Sequence, residues 1–198
     1  MNSQKGNMMN PKKSKYIMIV IFIILYSFAW AQDFTAGDII TLHVNDYCLI
    51  ESNHAPISLT LGSSVAGAPI TSDSNSDMFL KLSSLVPGGT NREVLVRISS
   101  GSLPPGTSLS ILPTTCTLIN SGGDLGQVKS TPVILSGIDQ NIITLIGSCY
   151  TGTGYNDGYQ ITYTWAPIDL DVNYALIEAT TTPTNITVVF TISAHDGN

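Results

Sequence analysis

Three oxygen-bearing side chains occupy alternate positions in the motif Asp73-Ser74-Asn75-Ser76-Asp77. Calcium loops place carboxylate and amide ligands at this spacing, because a hard cation takes several oxygen ligands from one short turn. Such loops continue with a glycine, whereas here Met78 follows Asp77. Two interpretations stay open: a weak calcium site formed by Asp73, Asn75 and Asp77, or a polar turn that precedes a strand.

A second group of side chains is suited to carbohydrate recognition. Tyr155, Asn156, Asp157 and Tyr159 lie in or beside a glycine-rich turn. Aromatic rings stack on the apolar faces of sugars, and nearby amide and carboxylate groups hydrogen-bond to the hydroxyls. These four residues are therefore the glycan-binding candidates, whereas Tyr163 has the parity of a predicted strand and is expected in the core.

Residue patterns for catalysis are sparse. The chain contains three histidines, at His43, His54 and His195, and none lies in a G-x-S-x-G setting. Paired carboxylates for glycoside hydrolysis meet only in the folded chain, so their spacing in sequence does not identify them. We expect a protein that is not an enzyme and that holds no cofactor apart from the weak calcium site.

The chain contains three cysteines, at Cys48, Cys116 and Cys149. No C-x-x-C spacing is present and the histidines are distant in sequence, which disfavours a zinc site. In an oxidising compartment three thiols allow one disulfide and leave one thiol. We predict a disulfide between Cys116 and Cys149, which would join two predicted strands, and a buried thiol at Cys48.

The first 31 residues have the pattern of an export signal. Lysines precede an apolar run from Tyr16 to Trp30, and Ala29-Trp30-Ala31 matches an A-x-A cleavage site. The alternative is a permanent membrane anchor, but a span needs about 20 apolar residues and this run is shorter. We predict a signal peptide at residues 1–31 and one secreted or cell-surface domain at residues 32–198, with no stable membrane span after cleavage.

Composition restricts the classes of partner. The formal net charge is −6, and charged residues are only 11% of the chain. Nucleic-acid binding needs clustered Lys and Arg, so we expect no nucleic-acid partner. A charged fraction well below the usual value of roughly 25% also disfavours a long charged helix or coiled coil.

Apolar and polar residues alternate through most of residues 32–198, and this period of two predicts strands with one buried face. Turn signals such as Pro87-Gly88-Gly89 and Gly122-Gly123-Asp124 separate the alternating segments. One short stretch, residues 171–179, is a candidate helix. We therefore predict an all-β fold, an antiparallel β-sandwich or barrel. The alternating apolar sets include Ile40, Leu42 and Val44; Ile57, Leu59 and Leu61; Met78, Leu80 and Leu82; Val94, Val96 and Ile98; Ile143 and Leu145; Ile161, Tyr163 and Trp165; and Ile186, Val188, Phe190 and Ile192.

Three segments resemble known families. The S-G-x-L-P-x-G-x-x-L stretch of bacterial immunoglobulin-like sandwiches resembles Ser99-Ser100-Gly101-Ser102-Leu103-Pro104-Pro105-Gly106-Thr107-Ser108-Leu109. Taken with Gly147-Ser148-Cys149-Tyr150-Thr151-Gly152-Thr153-Gly154 and Gly158-Tyr159-Gln160-Ile161-Thr162-Tyr163, this segment resembles a group of uncharacterised small secreted Bacteroidota β-sandwich proteins over residues 57–194. That resemblance implies a signal peptide and a single β-rich unit, and it brings no activity with it.

The chain resembles, more loosely, the spore-coat-U-type and other chaperone–usher pilins. This resemblance implies an immunoglobulin/pilin-like sandwich and a subunit that self-associates into a homopolymer by donating an N-terminal strand to its neighbour. Residues 32–44 are the candidate donor, and the alternative is that they form the first strand of their own domain. We expect a structural or adhesive cell-surface protein, with an extracellular carbohydrate-binding module as the alternative. The strand-exchange candidates share one parity and are Phe34, Ala36, Ile40, Leu42 and Val44.

Overall fold

The structure is a computed structural model that describes residues 37–116 and 119–195. The chain divides into two units, Met1–His43 and Val44–Asn198. The predicted signal peptide, together with Phe34 and Ala36, lies outside the described residues. Within the described ranges, no helix has the length and apolar character that a membrane crossing requires.

The described part of the second unit consists of β-strands, turns and one 3₁₀ turn. The strands are β1 (Tyr47–Ser52), β2 (Asp73–Leu85), β3 (Arg92–Ser100), β4 (Thr107–Pro113), β5 (Gly122–Gly123), β6 (Gln127–Val128), β7 (Val133–Ile134), β8 (Gln140–Ile146), β9 (Cys149–Tyr150), β10 (Tyr159–Pro167) and β11 (Thr187–Ala194), and the 3₁₀ turn is Tyr174–Leu176. The prediction of an all-β fold is confirmed.

The strands form two antiparallel sheets. The larger sheet has the order β5-β9-β2-β10-β4-β7, and β1 pairs with β2 on the edge opposite β9. The smaller sheet has the order β11-β3-β8-β6. Apolar side chains from both sheets make one buried cluster, which gives a sandwich-like arrangement. Strands β1 and β11, which lie at edges of different sheets, run close to each other.

Alternation explains why the longest strand forms and which face it buries. In β2, Met78, Leu80 and Leu82 are buried, while the intervening side chains are half-buried on the outer face. Strands β4 and β10 follow the same rule, so three neighbouring strands offer one apolar surface to the core. Each aliphatic side chain that is fully buried in this way contributes about 1.5–3 kcal/mol to folding.

Strand β8 departs from the predicted alternation. The sequence predicts Ile143 and Leu145 on one face, but the structure buries Ile142, Ile143 and Ile146. Leu145 has φ of 57°, and the register against β3 is irregular beside it, so a bulge reverses the parity within the strand.

Three other local predictions are wrong. Residues 40–44, whose alternation predicts a strand, form none in this chain, and the first strand of the second unit begins at Tyr47, so they are not the first strand of their own domain. The donor role of residues 32–44 stays a prediction. Gly122-Gly123, predicted as a turn, is the short strand β5 beside β9. The candidate helix at residues 171–179 contains only the 3₁₀ turn Tyr174–Leu176.

Candidate functional site

The outer face of the larger sheet carries a row of side chains across four strands, here called the tyrosine row. Ser83 of β2 is paired with Leu49 of β1 on one side and with Tyr150 of β9 on the other. Tyr150 is paired in turn with Gly122 of β5, which completes the row. Their neighbours Leu82, Ser84 and Cys149 are buried, so the tyrosine row faces outward. The row places an aromatic ring between two small residues on an exposed surface.

The ring of Tyr150 lies across Gly122. A Cβ atom at Gly122 would stand 2.9 Å from the Tyr150 hydroxyl oxygen and 3.0–3.1 Å from two ring carbons. Glycine is therefore needed at this position for the ring to lie in this orientation. Tyr150 nevertheless stays 57% exposed, which leaves an aromatic surface open to solvent.

A second set of side chains, here called the polar row, runs beside the tyrosine row. It consists of Glu51 of β1, Lys81 of β2, Asp157 of the 152–158 loop and Asn120, which precedes β5. Lys81 Nζ lies 3.5 Å from Glu51 Oε2, and Asn120 Nδ2 donates to Asp157 Oδ1 at 3.0 Å. Glu51 and Lys81 are each two residues from the tyrosine row, a step of about 7 Å along a strand.

The loop itself fixes the position of Asp157. Asp157 Oδ2 accepts a hydrogen bond from the Gly154 N–H at 2.6 Å, and the same oxygen would lie 2.4 Å from a Cβ atom on Gly152. Hydrogen bonds from Asn120 and Gly154, with a smaller contribution from the charge of Lys81, hold the pKa of Asp157 below its usual value. The carboxylate therefore stays ionised, and it lies close to Gly152, which follows Tyr150 by two residues.

One buried hydroxyl attaches this loop to the core. Thr151 follows Tyr150 and is almost fully buried; its Oγ1 accepts a hydrogen bond from the Leu82 N–H at 2.9 Å. The Thr151 N–H donates to the Leu82 carbonyl at 3.1 Å. The side chain thus supplies the acceptor that a continuous strand would have offered at the point where β9 ends.

The loop returns to the sheet at Gly158. This residue has φ of +102°, and a Cβ atom there would stand 2.3 Å from the Leu80 carbonyl oxygen. Only glycine fits this close approach without strain. Thr151 and Gly158 therefore position both ends of the 152–158 loop, and with it Asp157.

The structure separates the four glycan-binding candidates. Tyr155 and Asn156 are exposed in the loop, and Asp157 belongs to the polar row. Tyr159 is wrong as a stacking residue, because it is only 1% exposed and its hydroxyl donates to the Leu125 carbonyl. Burial raises the pKa of the Tyr159 hydroxyl, with smaller contributions from nearby Cys149 and Cys116.

The predicted calcium ligands lie on a strand rather than in a turn. Asp73, Asn75 and Asp77 belong to the first part of β2. Asp73 Oδ2 accepts from the Thr60 N–H at 2.7 Å, and Asn75 Nδ2 donates to Asp77 Oδ2 at 3.0 Å. Across the described residues, no three His, Cys, Asp or Glu side chains form a group that could hold a metal ion. Calcium binding here stays a prediction.

All three cysteines are thiols in the structure. Cys116 and Cys149 are buried, and burial, then the charges of Asp124 and Cys116, raise the pKa of the Cys149 thiol to about 11. Cys48 is half-buried on β1 rather than buried as the sequence predicts. The Cys116–Cys149 disulfide stays a prediction.

The two histidines of the second unit lie in separate surroundings. His54 Nδ1 is 3.4 Å from Ser52 Oγ at an exposed position. His195 continues from β11: its N–H donates to the Asn91 carbonyl, and its Nδ1 is 3.0 Å from Glu93 Oε2. The serine contacts one of these histidines and the carboxylate contacts the other, so these contacts do not assemble a serine–histidine–carboxylate triad.

Residues 37–43 of the first unit form neither helix nor strand. Ile39, Ile40 and Leu42, together with Val44 at the start of the second unit, are 77–98% exposed. These four large aliphatic side chains within six residues are unburied, which is unusual for a segment that alternates as a strand does.

Tyr150 and its neighbours in the two rows were not among the predicted site residues, apart from Asp157. The sequence signal that was available is the position of Tyr150 directly after Cys149, since adjacent residues of a strand point to opposite faces. No protein-family model, curated protein or solved structure matches this chain.

Proposed function

We propose that this protein is an exported structural or adhesive cell-surface subunit that assembles with copies of itself by β-strand complementation. The proposal includes an immunoglobulin/pilin-like type for the sandwich, in which a neighbour's N-terminal segment completes a sheet. The observation that carries it is the exposure of Ile40, Leu42 and Val44, which share one parity and are unburied in this chain. Burial of each in a neighbour's groove is worth about 1.5–3 kcal/mol.

The acceptor that best suits such a donor is the outer edge of β11. This eight-residue strand, Thr187–Ala194, is the last strand of its sheet and pairs with β3. Natural edge strands are usually protected by charges, prolines or bulges along the strand. β11 contains neither a charged residue nor a proline, and its one irregularity against β3 is at its start, between Thr187 and Val188.

The core-facing side of β11 adds a second argument. Val188, Phe190 and Ile192 pack against the core but are only partly buried. An added strand would cover these side chains with its own apolar residues, while its main chain satisfies the edge N–H and C=O groups. Apolar positions of one parity in the donor match this requirement.

Parity provides the test. In the full-length protein, the double variant Ile40→Ser/Leu42→Ser removes two residues of the proposed inward face. The matched control is Ile39→Ser, which changes a more exposed isoleucine of the opposite parity. Negative-stain electron microscopy and light scattering should detect polymers in the wild type and in the control, and mainly monomers in the double variant.

A synthetic peptide of residues 32–44 supplies an independent measurement. If it occupies the acceptor, it should stop polymer growth, and the same peptide with Ile40→Ser should be much weaker. The proposal is wrong if the wild type is monomeric at every concentration. It is also wrong if Ile39→Ser and the double variant reduce assembly equally, because that result indicates non-specific adhesion.

A further inference from the structure

We infer that the tyrosine row and the polar row together form a binding site for a neutral glycan, with one pyranose ring stacked on Tyr150. This site is centred on a residue outside the loop candidates that the sequence suggests, and it does not depend on self-assembly. It lies on the outer face of β1, β2, β9 and β5, within the second unit.

The orientation of Tyr150 is the first argument. One face of its ring rests on Gly122, and the residue is more than half exposed. Its cross-strand neighbours are Ser83, which has a small side chain, and Gly122, which has none, so neither rises beside the ring. A flat aromatic surface without bulky neighbours is the shape that the apolar face of a pyranose ring covers.

The polar row is the second argument. Lys81, Asn120 and Asp157 offer an ammonium group, an amide and a carboxylate. Lys81 is two residues from Ser83 along β2, and Asn120 is two residues before Gly122. Asn120 and Asp157 both approach Gly152, which follows Tyr150 by two residues. Sugar hydroxyls both donate and accept hydrogen bonds, so a row that contains donors and acceptors can bind them in either role. A ring stacked on Tyr150 would bring its peripheral hydroxyls toward these groups.

The charges select the class of glycan. The polar row contains two carboxylates, Glu51 and Asp157, and one ammonium group, Lys81. The mutual contacts of these groups fix their side chains, which reduces the ordering cost when a ligand binds. The excess negative charge repels uronate and sulfate groups. The preferred ligand is therefore an uncharged hexose or N-acetylhexosamine chain.

The test uses the purified full chain and a panel of defined oligosaccharides. Cellohexaose, mannohexaose and chitohexaose are the neutral probes, and hexagalacturonate is the acidic one. Isothermal titration calorimetry should detect binding of at least one neutral probe and weaker or no binding of the acidic one. Tyr150→Ala should weaken the neutral complex about tenfold or more.

Two substitutions act as controls. Tyr174→Ala removes an exposed tyrosine in the 3₁₀ turn, outside both rows, and should leave affinity unchanged. Tyr150→Phe keeps the ring and should keep most of the affinity. If Tyr150→Ala does not fold, Tyr150→Leu still covers Gly122 without a flat face and should lose binding.

A second readout uses the wild type alone. Adding increasing amounts of the neutral probe that binds, while NMR spectra of the protein are recorded, should shift the backbone amide signals of Tyr150, Ser83 and Asn120 before those of other residues. The inference is overturned if no neutral probe binds, if the acidic probe binds best, or if both Tyr150→Ala and Tyr150→Leu bind as the wild type does. It is also overturned if these variants change the oligomeric state instead, which would make the face a contact between copies.

Discussion

Replacing Thr151 with valine tests whether one buried hydroxyl holds the end of β9 in place. Valine has nearly the same shape as threonine, so Thr151→Val leaves the packing intact and removes the oxygen. The Leu82 N–H, which donates to Thr151 Oγ1 at 2.9 Å, then loses its acceptor in a buried position. An unsatisfied buried donor costs about 1–3 kcal/mol, and the lost bond from the hydroxyl to the Leu82 carbonyl adds to that cost.

The expected loss in the free energy of unfolding is therefore about 2–3 kcal/mol. For a domain of this size, that corresponds to a fall in Tm of roughly 5–10 °C. Urea unfolding followed by circular dichroism measures the free energy, and an unchanged m-value would show that the denatured state is the same.

Two matched variants separate the hydroxyl from the rest of the side chain. Thr151→Ser keeps the hydroxyl and should cost about 1 kcal/mol or less through the lost methyl group. Thr162→Val removes a hydroxyl that contacts Ser76 Oγ at 2.9 Å on the outer face, where water can replace it, and should cost less than about 1 kcal/mol. The argument fails if Thr151→Val is no worse than Thr162→Val, or if Thr151→Ser is the more damaging change at that site.

Three further predictions concern the same end of the larger sheet and the core behind it. Gly158→Ala should lower the free energy of unfolding by more than about 2 kcal/mol, because the new Cβ atom meets the Leu80 carbonyl oxygen. The control Gly137→Ala places its Cβ atom in open space and should change that free energy by no more than about 0.5 kcal/mol in the same urea assay. Cys48 should react first with an aromatic disulfide reagent in the native protein, and the two buried cysteines should stay unreactive until the chain is unfolded and any disulfide between them is reduced. Equal rates for all three in the native protein would contradict the burial pattern. Burial raises the pKa of the two core tyrosines, Tyr159 and Tyr163, above the ordinary 10.0. Their contribution to the free energy of unfolding is therefore complete below pH 10 and is lost as the pH rises above it. Absorbance at alkaline pH should show that both ionise only as the chain unfolds, and ionisation of all tyrosines before unfolding would refute this.

Local parity was sufficient to predict much of the core. Met78, Leu80 and Leu82 are buried because a strand exposes alternate residues to the same face, and this rule needs no knowledge of the partner strands. The same rule, applied consistently, also places Tyr159 in the core, since it shares the parity of Ile161. The prediction of Tyr159 as a glycan-binding residue is wrong because its nearness to a turn does not override its strand parity.

The candidate site could not be predicted in the same way. The environment of Tyr150 depends on Ser83 and Gly122, which lie on other strands and meet it only through sheet pairing. Bulges add to the difficulty. The positive φ at Leu145 changes the parity within β8, and the sequence has no glycine at that position to indicate a bulge. Non-local register and local irregularity therefore limit prediction of the site more than residue type does.

Assembly and glycan binding, as proposed here, use different parts of the sandwich. Strand addition at β11 acts through main-chain groups at an edge of the smaller sheet, whereas the glycan site uses side chains on a face of the larger sheet. A strand added beside β11 would come near β1, because these two strands run close to each other. Tyr150 on β9 is separated from β1 by two strand spacings, about 10 Å, so the added strand need not cover it. A polymer would then repeat one weak sugar site along its length. Because linked sites rebind at high effective concentration, a modest affinity at each Tyr150 is sufficient for firm attachment to a glycan-covered surface.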